Sequence, residues 1–455
     1  MHAKTEQLGT APMGKLFVSL AAPAVAAQVI NLLYNLVDRM YIGHMEGVGR
    51  LALTGVGVCL PLIMIISAFA ALVASGGAPR ASIAMGKGDH DLAEKLLGGC
   101  FTLQIVISAI LTAVMLIWSR DLLLMFGASE NTIGYAADYM RIYAIGTLLV
   151  QLTLGMNAFI TAQGFATTGM LTVLIGAVAN IALDPLFIYG LGMGVRGAAL
   201  ATVISQGLSC VWVICFLRGK KTLLRLKREN LLVSAKLILP CVALGLAAFI
   251  MQSSESMISV CFNSSLLRYG GDVAVGAMTI LSSVMQFAML PLQGIAQGAQ
   301  PISSYNYGAR NADRVRQTFR LLLRVCLVYS MVLWAGIMLF PRGFAGIFTP
   351  DAELLDFTAR ALRIYCAMLF LFGIQIACQM TFVSIGNAPC SILVAVLRKF
   401  VLLLPLIFLL PSLLPDKVTA VYLAEPVADA IAVTCTALLF SRQFKKALAA
   451  LEAGK

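Results

Sequence analysis

The chain has 455 residues, of which 60% are hydrophobic and only 12% are charged, and its mean hydropathy is +0.90. Soluble globular proteins are about 45–50% apolar and about 25% charged, so this composition excludes a soluble domain and indicates a membrane protein. The net charge of +12 would suggest a nucleic-acid partner in a soluble protein, but here it fits basic loops at one membrane face, with no nucleic acid.

The first half of the chain predicts a short tail followed by six membrane spans. Residues 1–14 are polar and lack a signal-peptide cleavage pattern, so they are expected to form a cytoplasmic N-tail. A span needs about 20 apolar residues. Together the six form an N-lobe over residues 15–217, with windows near 15–38, 51–78, 95–118, 134–161, 168–190 and 197–217.

The second half repeats this plan after a basic segment. Residues 218–234 are expected to form a cytoplasmic linker, although an electrostatic lipid anchor is an alternative. Residues 235–440 form a C-lobe of six further spans, and residues 441–455 a cytoplasmic C-tail. The six windows lie near 235–265, 272–300, 318–340, 357–383, 389–410 and 418–440.

The basic residues predict the orientation of the chain. With the N-terminus inside, 21 of the 33 Lys and Arg fall in the inner loops and tails. Because cytoplasmic loops carry an excess of Lys and Arg, both termini are expected in the cytoplasm of a multi-pass plasma-membrane protein.

The sequence lacks the motifs of the common enzyme classes. The eleven cysteines form no CxxC pair, which argues against a disulfide framework or a metal site. Neither a nucleophile elbow, nor a P-loop, nor a dinucleotide-binding glycine motif is present. We therefore expect a protein that is not an enzyme and has no cofactor.

The chain contains an internal repeat whose two copies align without gaps at one constant offset, called the repeat offset below. Matched pairs include Gly76 and Gly298, Pro79 and Pro301, Ser82 and Ser304, Gly86 and Gly308, Arg120 and Arg342, and Gly164 and Gly386. Each copy holds six spans, an even number, so both copies share one membrane orientation. This is the parallel-repeat plan of some secondary transporters, and it favours a transporter over a duplicated scaffold.

Asp38 and Asp184 lie inside predicted spans of the first copy. An ionised acid in a bilayer costs on the order of 3 kcal/mol, so such residues usually face a cavity, bind an ion or carry a proton. Asp184 shares a helix face with Asn180, and Pro185 disrupts the helix beside it. Asp38 in span one and Thr202 in span six add a carboxylate and a hydroxyl. These oxygens predict a site for Na⁺ or H⁺.

The second copy lacks these acids, because Asp38 aligns with Val260 and Asp184 with Leu406. Structural residues should be shared by both copies, so an acid pair in one copy alone favours a cation site. The alternatives are an interfacial Asp38 paired with Arg39, and ordinary helix–helix hydrogen bonds for Asn180 and Thr202.

Three separated motifs resemble the multidrug and toxic compound extrusion (MATE) family over nearly the whole chain. They read NLVDRMYIG, LDPLFIYGLGMGVRGAALATVISQ and QGIAQGAQPISSYNYGARNADRVRQT. The resemblance implies an all-α membrane protein with twelve transmembrane helices in two pseudo-symmetric six-helix bundles. It also implies alternating access and export of organic cations or drugs against Na⁺ or H⁺.

The resemblance also implies roles for particular residues. The N-lobe ion ligands of the family match Asp38, Asn180, Asp184 and Thr202, with Tyr139 and Asn157 nearby; helix packing is the alternative for those last two.

In the C-lobe, one branch of the family uses an acid at the position of Glu255 for cations, so Glu255 is a substrate or second cation contact. That branch pairs this acid with another in span ten. Here the same region carries Gln375 and Gln379 instead, which are further candidates for a substrate or second cation contact. The alternative for Glu255 is a carboxyl hydrogen-bonded to neighbouring serines.

Four charges of the last two predicted C-lobe spans are expected to be structural or gating. Glu425 and Asp429 share a helix face, and Arg398 and Lys399 could pair with acids across the lobe.

The sequence thus predicts a monomeric, cation-coupled exporter of small organic cations or drugs, with membrane lipid as its surroundings. One rival is a flippase for a lipid-linked intermediate, which should carry several arginines in its cavity helices. A non-transporting membrane scaffold or receptor is the other.

Overall fold

In a computed structural model, residues 3–453 form helices joined by short connections, and no strand occurs among these residues. Within them, nine helices are long and apolar enough to cross a membrane, and two bent helix pairs add two spans. One of the nine is 74 residues long and contains two spans, because Gly271 breaks it with φ 65° and ψ −161°. The twelve predicted spans are therefore confirmed.

The N-lobe consists of the helices before the linker, and the C-lobe of those after it. The N-lobe helices are α2 (Met13–Gly43), α3 (Gly49–Gly86), α4 (His90–Met125), α5 (Ile133–Ile145), α6 (Thr147–Ala162), α7 (Ala166–Pro185) and α8 (Val195–Arg218), preceded by α1 (Ala3–Thr10). The C-lobe helices are α9 (Ala235–Gly308), α10 (Ala312–Leu339), α11 (Pro341–Gly346), α12 (Ala352–Tyr365), α13 (Phe372–Ser384), α14 (Ala388–Val396), α15 (Leu404–Leu413) and α16 (Lys417–Ala453).

Both lobes bend at the same repeat position. The span formed by α5 and α6 bends by 57°, and the span formed by α12 and α13 bends by 45°. The first bend lies at Gly146, and the repeat offset places its counterpart at Met368, between α12 and α13. Gly164 and Gly386, another matched pair, both adopt a positive φ. The two copies therefore share their backbone geometry as well as their sequence.

The lobes meet through a symmetric pair of glycine contacts. A Cβ atom added to Gly86 of α3 would collide with the carbonyl of Tyr305 in α9. One added to Gly308 would collide with the carbonyl of Ile83, and residues 83 and 305 are themselves a repeat pair. Only glycine fits such a backbone approach. These contacts close the lobes together on the side that carries α1 and the end of α16, called the tail side below.

The residues predicted as an N-tail include a packed helix. Leu8 of α1 is fully buried, and its carbonyl accepts hydrogen bonds from Asn306 at 2.8 Å and from Arg314 at 3.1 Å. On the other lobe, the Thr5 hydroxyl donates to the carbonyl of Gln163 at 3.0 Å. Helix α1 therefore bridges the two lobes.

The predicted linker lies against the N-lobe. The side-chain oxygen of Gln163 accepts hydrogen bonds from the Thr222 hydroxyl at 2.8 Å and from the Leu224 amide at 3.0 Å. Lys227 pairs with Glu94 at 2.5 Å. At the other end of the chain, α16 continues to Ala453, so the described part of the predicted C-tail is helical.

Candidate functional site

Helix α7 buries two polar side chains on one face. Asp184 is 0% exposed and Asn180 is 1% exposed. The α-helical segment ends at Pro185, and the chain continues as a wider π-helical segment over Leu186–Gly190. The predicted disruption at Pro185 is therefore present, immediately after the buried acid.

Helix α8 brings a hydroxyl to this pair. The Asn180 amide nitrogen lies 3.4 Å from an oxygen of Asp184 and 3.4 Å from the hydroxyl oxygen of Thr202. Thr202 itself donates to the carbonyl of Ala198 at 3.0 Å, so its hydroxyl oxygen can still accept. The amide thus holds the carboxylate and the hydroxyl beside each other.

Helix α2 contributes the second acid. Asp38 is 9% exposed, and its carboxyl group lies close to that of Asp184. Two ionised carboxylates repel each other at such a distance, and burial strengthens the repulsion. A shared proton or a bound cation would remove this repulsion.

Three side-chain oxygens of this cluster are buried without a hydrogen-bond partner among residues 3–453. They belong to Asp38, Asn180 and Asp184. A buried polar atom without a partner costs on the order of 1–3 kcal/mol, so three in one place require an explanation. Oxygens of this type are the ligands that Na⁺ prefers, and the carboxylates can equally hold a proton. We call Asp38, Asn180, Asp184 and Thr202 the N-lobe cluster.

The structure brings one of the two predicted supporting residues to the N-lobe cluster. Tyr139 is buried, and its side chain lies near those of Thr202 and Asp38. Asn157 instead donates to the carbonyl of Gly169 at 3.2 Å. Gly169 lies eleven residues before Asn180 in α7, or about 16 Å at 1.5 Å per residue. Asn157 is therefore outside the cluster in this conformation.

Tyr34 is a neighbour of the cluster that the sequence reasoning missed. It lies four residues before Asp38 in α2, so both side chains leave the same helix face. Its hydroxyl lies within electrostatic range of Asp38 and Asp184. The spacing of four residues between Tyr34 and Asp38 could have identified this neighbour from the sequence.

In the C-lobe, Glu255 is paired with a lysine. The Lys399 ammonium lies 2.5 Å from a Glu255 carboxylate oxygen. The Lys399 side chain is 6% exposed, whereas the Glu255 side chain is 55% exposed. The neighbouring Ser254 hydroxyl donates to the carbonyl of Met251 instead. A substrate cation that reaches Glu255 would therefore compete with Lys399.

A second ion-pair group lies beside this pair and is buried on both sides of the pairing. Arg398 contacts Glu425 at 2.8 Å and Asp429 at 2.7 Å, and the three side chains are 7%, 8% and 9% exposed. The Arg398 guanidinium also lies over the ring of Phe372, 4.8 Å from its centroid. The expected pairing of Arg398 and Lys399 with acids across the lobe is confirmed by these contacts.

The two glutamines of the span formed by α12 and α13 are buried. Gln379 donates to the Ser391 hydroxyl at 2.7 Å, which joins α13 to α14. The side-chain oxygens of Gln375 and Gln379 have no hydrogen-bond partner in the described chain, and no hydrogen bond joins either residue to Glu255 there. The structure thus places Glu255 with Lys399, apart from these amides.

Comparison with known proteins supplies the family. The profile described as MatE matches residues 23–186 and, separately, residues 245–409. The starting positions 23 and 245 are related by the repeat offset, the same one that aligns Gly76 with Gly298. The two matches cover more than half of the chain, one match in each lobe.

Two curated relatives match at low identity over most of their length. Multidrug export protein MepA of Staphylococcus haemolyticus is 23% identical over 420 residues, which is 92% of each chain. The probable multidrug resistance protein YoeA of Bacillus subtilis is 24% identical over 416 residues, which is 90% of this chain and 89% of the relative.

Solved structures match the fold along its whole length. A crystal structure of MATE in the bent conformation has a TM-score of 0.92 at 23% identity and covers 99% of both chains. An outward-facing multidrug resistance MATE family transporter of the MOP superfamily has a TM-score of 0.88 at 24% identity, over 97% of this chain and 98% of that one. These likenesses confirm the predicted two-bundle fold.

Proposed function

Since this chain belongs to the MatE family, we propose that it exports organic cations and drugs from the cell in exchange for an inward-moving Na⁺ or H⁺. The N-lobe cluster binds the coupling cation. The observation that carries this proposal is the set of buried oxygens of Asp38, Asn180 and Asp184 that lack partners beside two adjacent carboxyl groups. The names of the relatives, multidrug export and resistance proteins, support the export of drugs.

The substrate is an organic cation that passes between the lobes by alternating access. Glu255 supports this assignment because it is half-exposed, whereas Glu425 and Asp429, the other acids paired with Arg398 and Lys399, are buried. The protein acts as a monomer in the plasma membrane with both termini in the cytoplasm, as the distribution of Lys and Arg favours. In this orientation the contacts of Gly86 and Gly308 close the cytoplasmic side.

A flippase is the weaker assignment. It would need free basic side chains to bind the phosphates of a lipid-linked intermediate. Arg398 and Lys399 are buried, and both already form ion pairs with carboxylates, three in total.

The test is dye efflux from proteoliposomes in which a Na⁺ gradient and a pH gradient are imposed separately. One of the two gradients should drive wild-type efflux, and Asp184→Asn should abolish it. Asp121→Asn is the matched control, because Asp121 is an exposed acid of the same lobe outside the cluster. Efflux by Asp184→Asn at the wild-type rate, or efflux that neither gradient drives, would contradict the proposal.

A further inference from the structure

The tail-side end of α10 carries a row of arginines on one helix face. Arg316, Arg320 and Arg324 follow each other at intervals of four residues. Arg316 is paired with Asp313 at 3.1 Å and with Glu452 at 3.2 Å. Arg320 and Arg324 are exposed, and neither makes a hydrogen bond or ion pair with another residue of the described chain.

Beyond Arg324, the adjoining surface of α10 continues into the membrane as an apolar surface. Val328 is 63% exposed and Val332 is 67% exposed, as expected of side chains that face lipid. Counted from the ion pair of Arg316, Arg320 lies about 6 Å and Arg324 about 12 Å further along the helix. An arginine at such a depth is costly unless it meets water, a carboxylate or a phosphate.

A groove begins at the deeper of the two arginines. It has a volume of about 450 Å³ and runs between α10 and the second half of α9. Its lining is apolar apart from Arg324 and the Tyr329 hydroxyl, and that hydroxyl already donates to the carbonyl of Ala288. The lining residues are Ile295, Arg324, Val325, Val328, Tyr329 and Val332.

The internal repeat shows what covers the equivalent face in the N-lobe. Arg320 and Arg324 correspond to Gly98 and Thr102 of α4. There the linker lies on the helix. A Cβ atom on Gly98 would collide with the carbonyl of Asn230, and the Thr102 hydroxyl donates to the carbonyl of Leu231 at 2.6 Å. The linker backbone thus covers the N-lobe face, whereas the equivalent C-lobe face carries two exposed arginines.

We infer that this C-lobe face binds an anionic phospholipid of the tail-side leaflet. Arg320 and Arg324 hold its phosphate, and one acyl chain lies in the groove along Val328 and Val332. Guanidinium groups bind phosphate oxygens through two parallel hydrogen bonds, and basic pockets between helices at the inner membrane face suit anionic headgroups. The two exposed arginines complement the negative charge of a phospholipid headgroup. A lipid fits better than a second protein, because the groove contains no acid and opens onto the lipid-facing surface.

The test compares lipid retention by the purified full-length protein. Delipidated protein is titrated with dioleoyl phosphatidylglycerol or dioleoyl phosphatidylcholine, and bound lipid is counted by native mass spectrometry. We expect the wild type to prefer phosphatidylglycerol, and Arg320→Gln/Arg324→Gln to lower that affinity at least tenfold. The conservative pair Arg320→Lys/Arg324→Lys should retain part of the preference. Val328→Trp should weaken both lipids, because the indole fills the groove.

The matched control is Lys445→Gln/Lys446→Gln, which removes the same charge from exposed positions of the tail-side end of α16. It should leave the preference unchanged. Equal losses in the control and in the arginine variant would indicate a diffuse charge effect and overturn the inference. Retention of the phosphatidylglycerol preference by Arg320→Gln/Arg324→Gln would also overturn it, as would full competition by millimolar inorganic phosphate, which would indicate an anion site without a lipid chain.

Discussion

At the scale of single residues, the N-lobe cluster depends on an amide that orients two different oxygens. Asn180 reaches both Asp184 and Thr202 at 3.4 Å, which is long for a hydrogen bond. Contacts of this length leave the carboxylate and the hydroxyl free to turn toward a cation.

Thr202 provides a test of ligation that leaves both acids in place. Thr202→Val keeps the side-chain shape and removes the hydroxyl oxygen, so we predict an approximately tenfold rise in the concentration of coupling cation needed for half-maximal efflux. Thr202→Ser is the control and should remain near wild type, because it retains the hydroxyl. Equal cation dependence in all three proteins would assign Thr202 to helix packing.

Glu255 and Lys399 should act in opposite directions on substrate affinity. Glu255→Gln removes the acid that a cationic drug would meet, so it should weaken binding of cationic drugs severalfold and leave neutral drugs unchanged. Lys399→Met removes the competing ammonium, so it should strengthen binding of the same cationic drugs. Fluorescent-drug titration of the purified variants measures both effects.

A stability comparison separates this role from simple packing. Removing one partner of a buried ion pair destabilises by about 3–5 kcal/mol, although the half-exposed Glu255 reduces this figure. Glu255→Gln leaves the buried Lys399 ammonium unpaired, and Glu255→Gln/Lys399→Met should restore the melting temperature. Identical changes in the affinity of cationic and neutral drugs would show that the pair is structural.

The sequence was sufficient to place Asn180 and Asp184 together, but it was insufficient to pair Glu255 with Lys399. Asn180 and Asp184 are four residues apart in a helix, so their shared face follows from helical periodicity alone. Glu255 and Lys399 are 144 residues apart and lie in different spans. Their contact depends on how two helices pack, and no local pattern encodes it.

At the scale of elements, the spans were predictable because hydropathy marks them, whereas the bends and the terminal helix were not. Helix α1, with the sequence AKTEQLGT, has no helical stripe of apolar residues. Its position comes instead from Leu8 and from hydrogen bonds with both lobes. The bends at Gly146 and Met368 were not predictable either, because the sequence is apolar on both sides of each bend and hydropathy does not change there.

Helix α1 should stabilise the conformation that is closed on the tail side. Leu8→Ser removes a fully buried side chain and retains the backbone carbonyl that accepts from Asn306 and Arg314. Loss of a buried leucine side chain costs about 2–5 kcal/mol. We predict that Leu8→Ser has a larger population of molecules open on the tail side than the wild type. Gln7→Ser is the matched control, because Gln7 is exposed on the same helix. Unchanged populations in Leu8→Ser would show that α1 does not restrain the lobes.

At the scale of the whole molecule, the repeat predicted the architecture and the structure shows where its symmetry is used. The repeat offset relates the bends, the left-handed glycines and the reciprocal contacts of Gly86 and Gly308. The N-lobe cluster departs from the symmetry, because its two acids have apolar counterparts at Val260 and Leu406. A duplicated frame with the proposed cation site in one copy suits lobes that rock against each other as rigid bodies.

The rocking motion can be measured at the reciprocal glycine contacts. Ser82 and Ser304 are buried and bonded, so labels there would disturb the packing. Lys87 and Ala309 are exposed, follow the two glycines and are themselves a repeat pair. Spin labels at these positions, after replacement of the exposed Cys215 and Cys435 by serine, report tail-side separation. A second pair at Glu46 and Arg268 reports the opposite side.

The two distances should change in opposite directions when the coupling cation changes. A cation shifts the equilibrium only by its difference in affinity between the two states, and a complete switch from 1:99 to 99:1 needs a preference of about 10⁴-fold. A cluster of four ligands should give a smaller preference, so we expect two distance populations whose ratio follows Na⁺ or pH. Asp184→Asn should fix that ratio, while Asp121→Asn should leave it responsive. If both distances rose together, the lobes would be separating without rocking. A single distance that ignores Na⁺, pH and drug would show that the N-lobe cluster does not control the conformation, because a ligand that moves no population cannot couple its gradient to export.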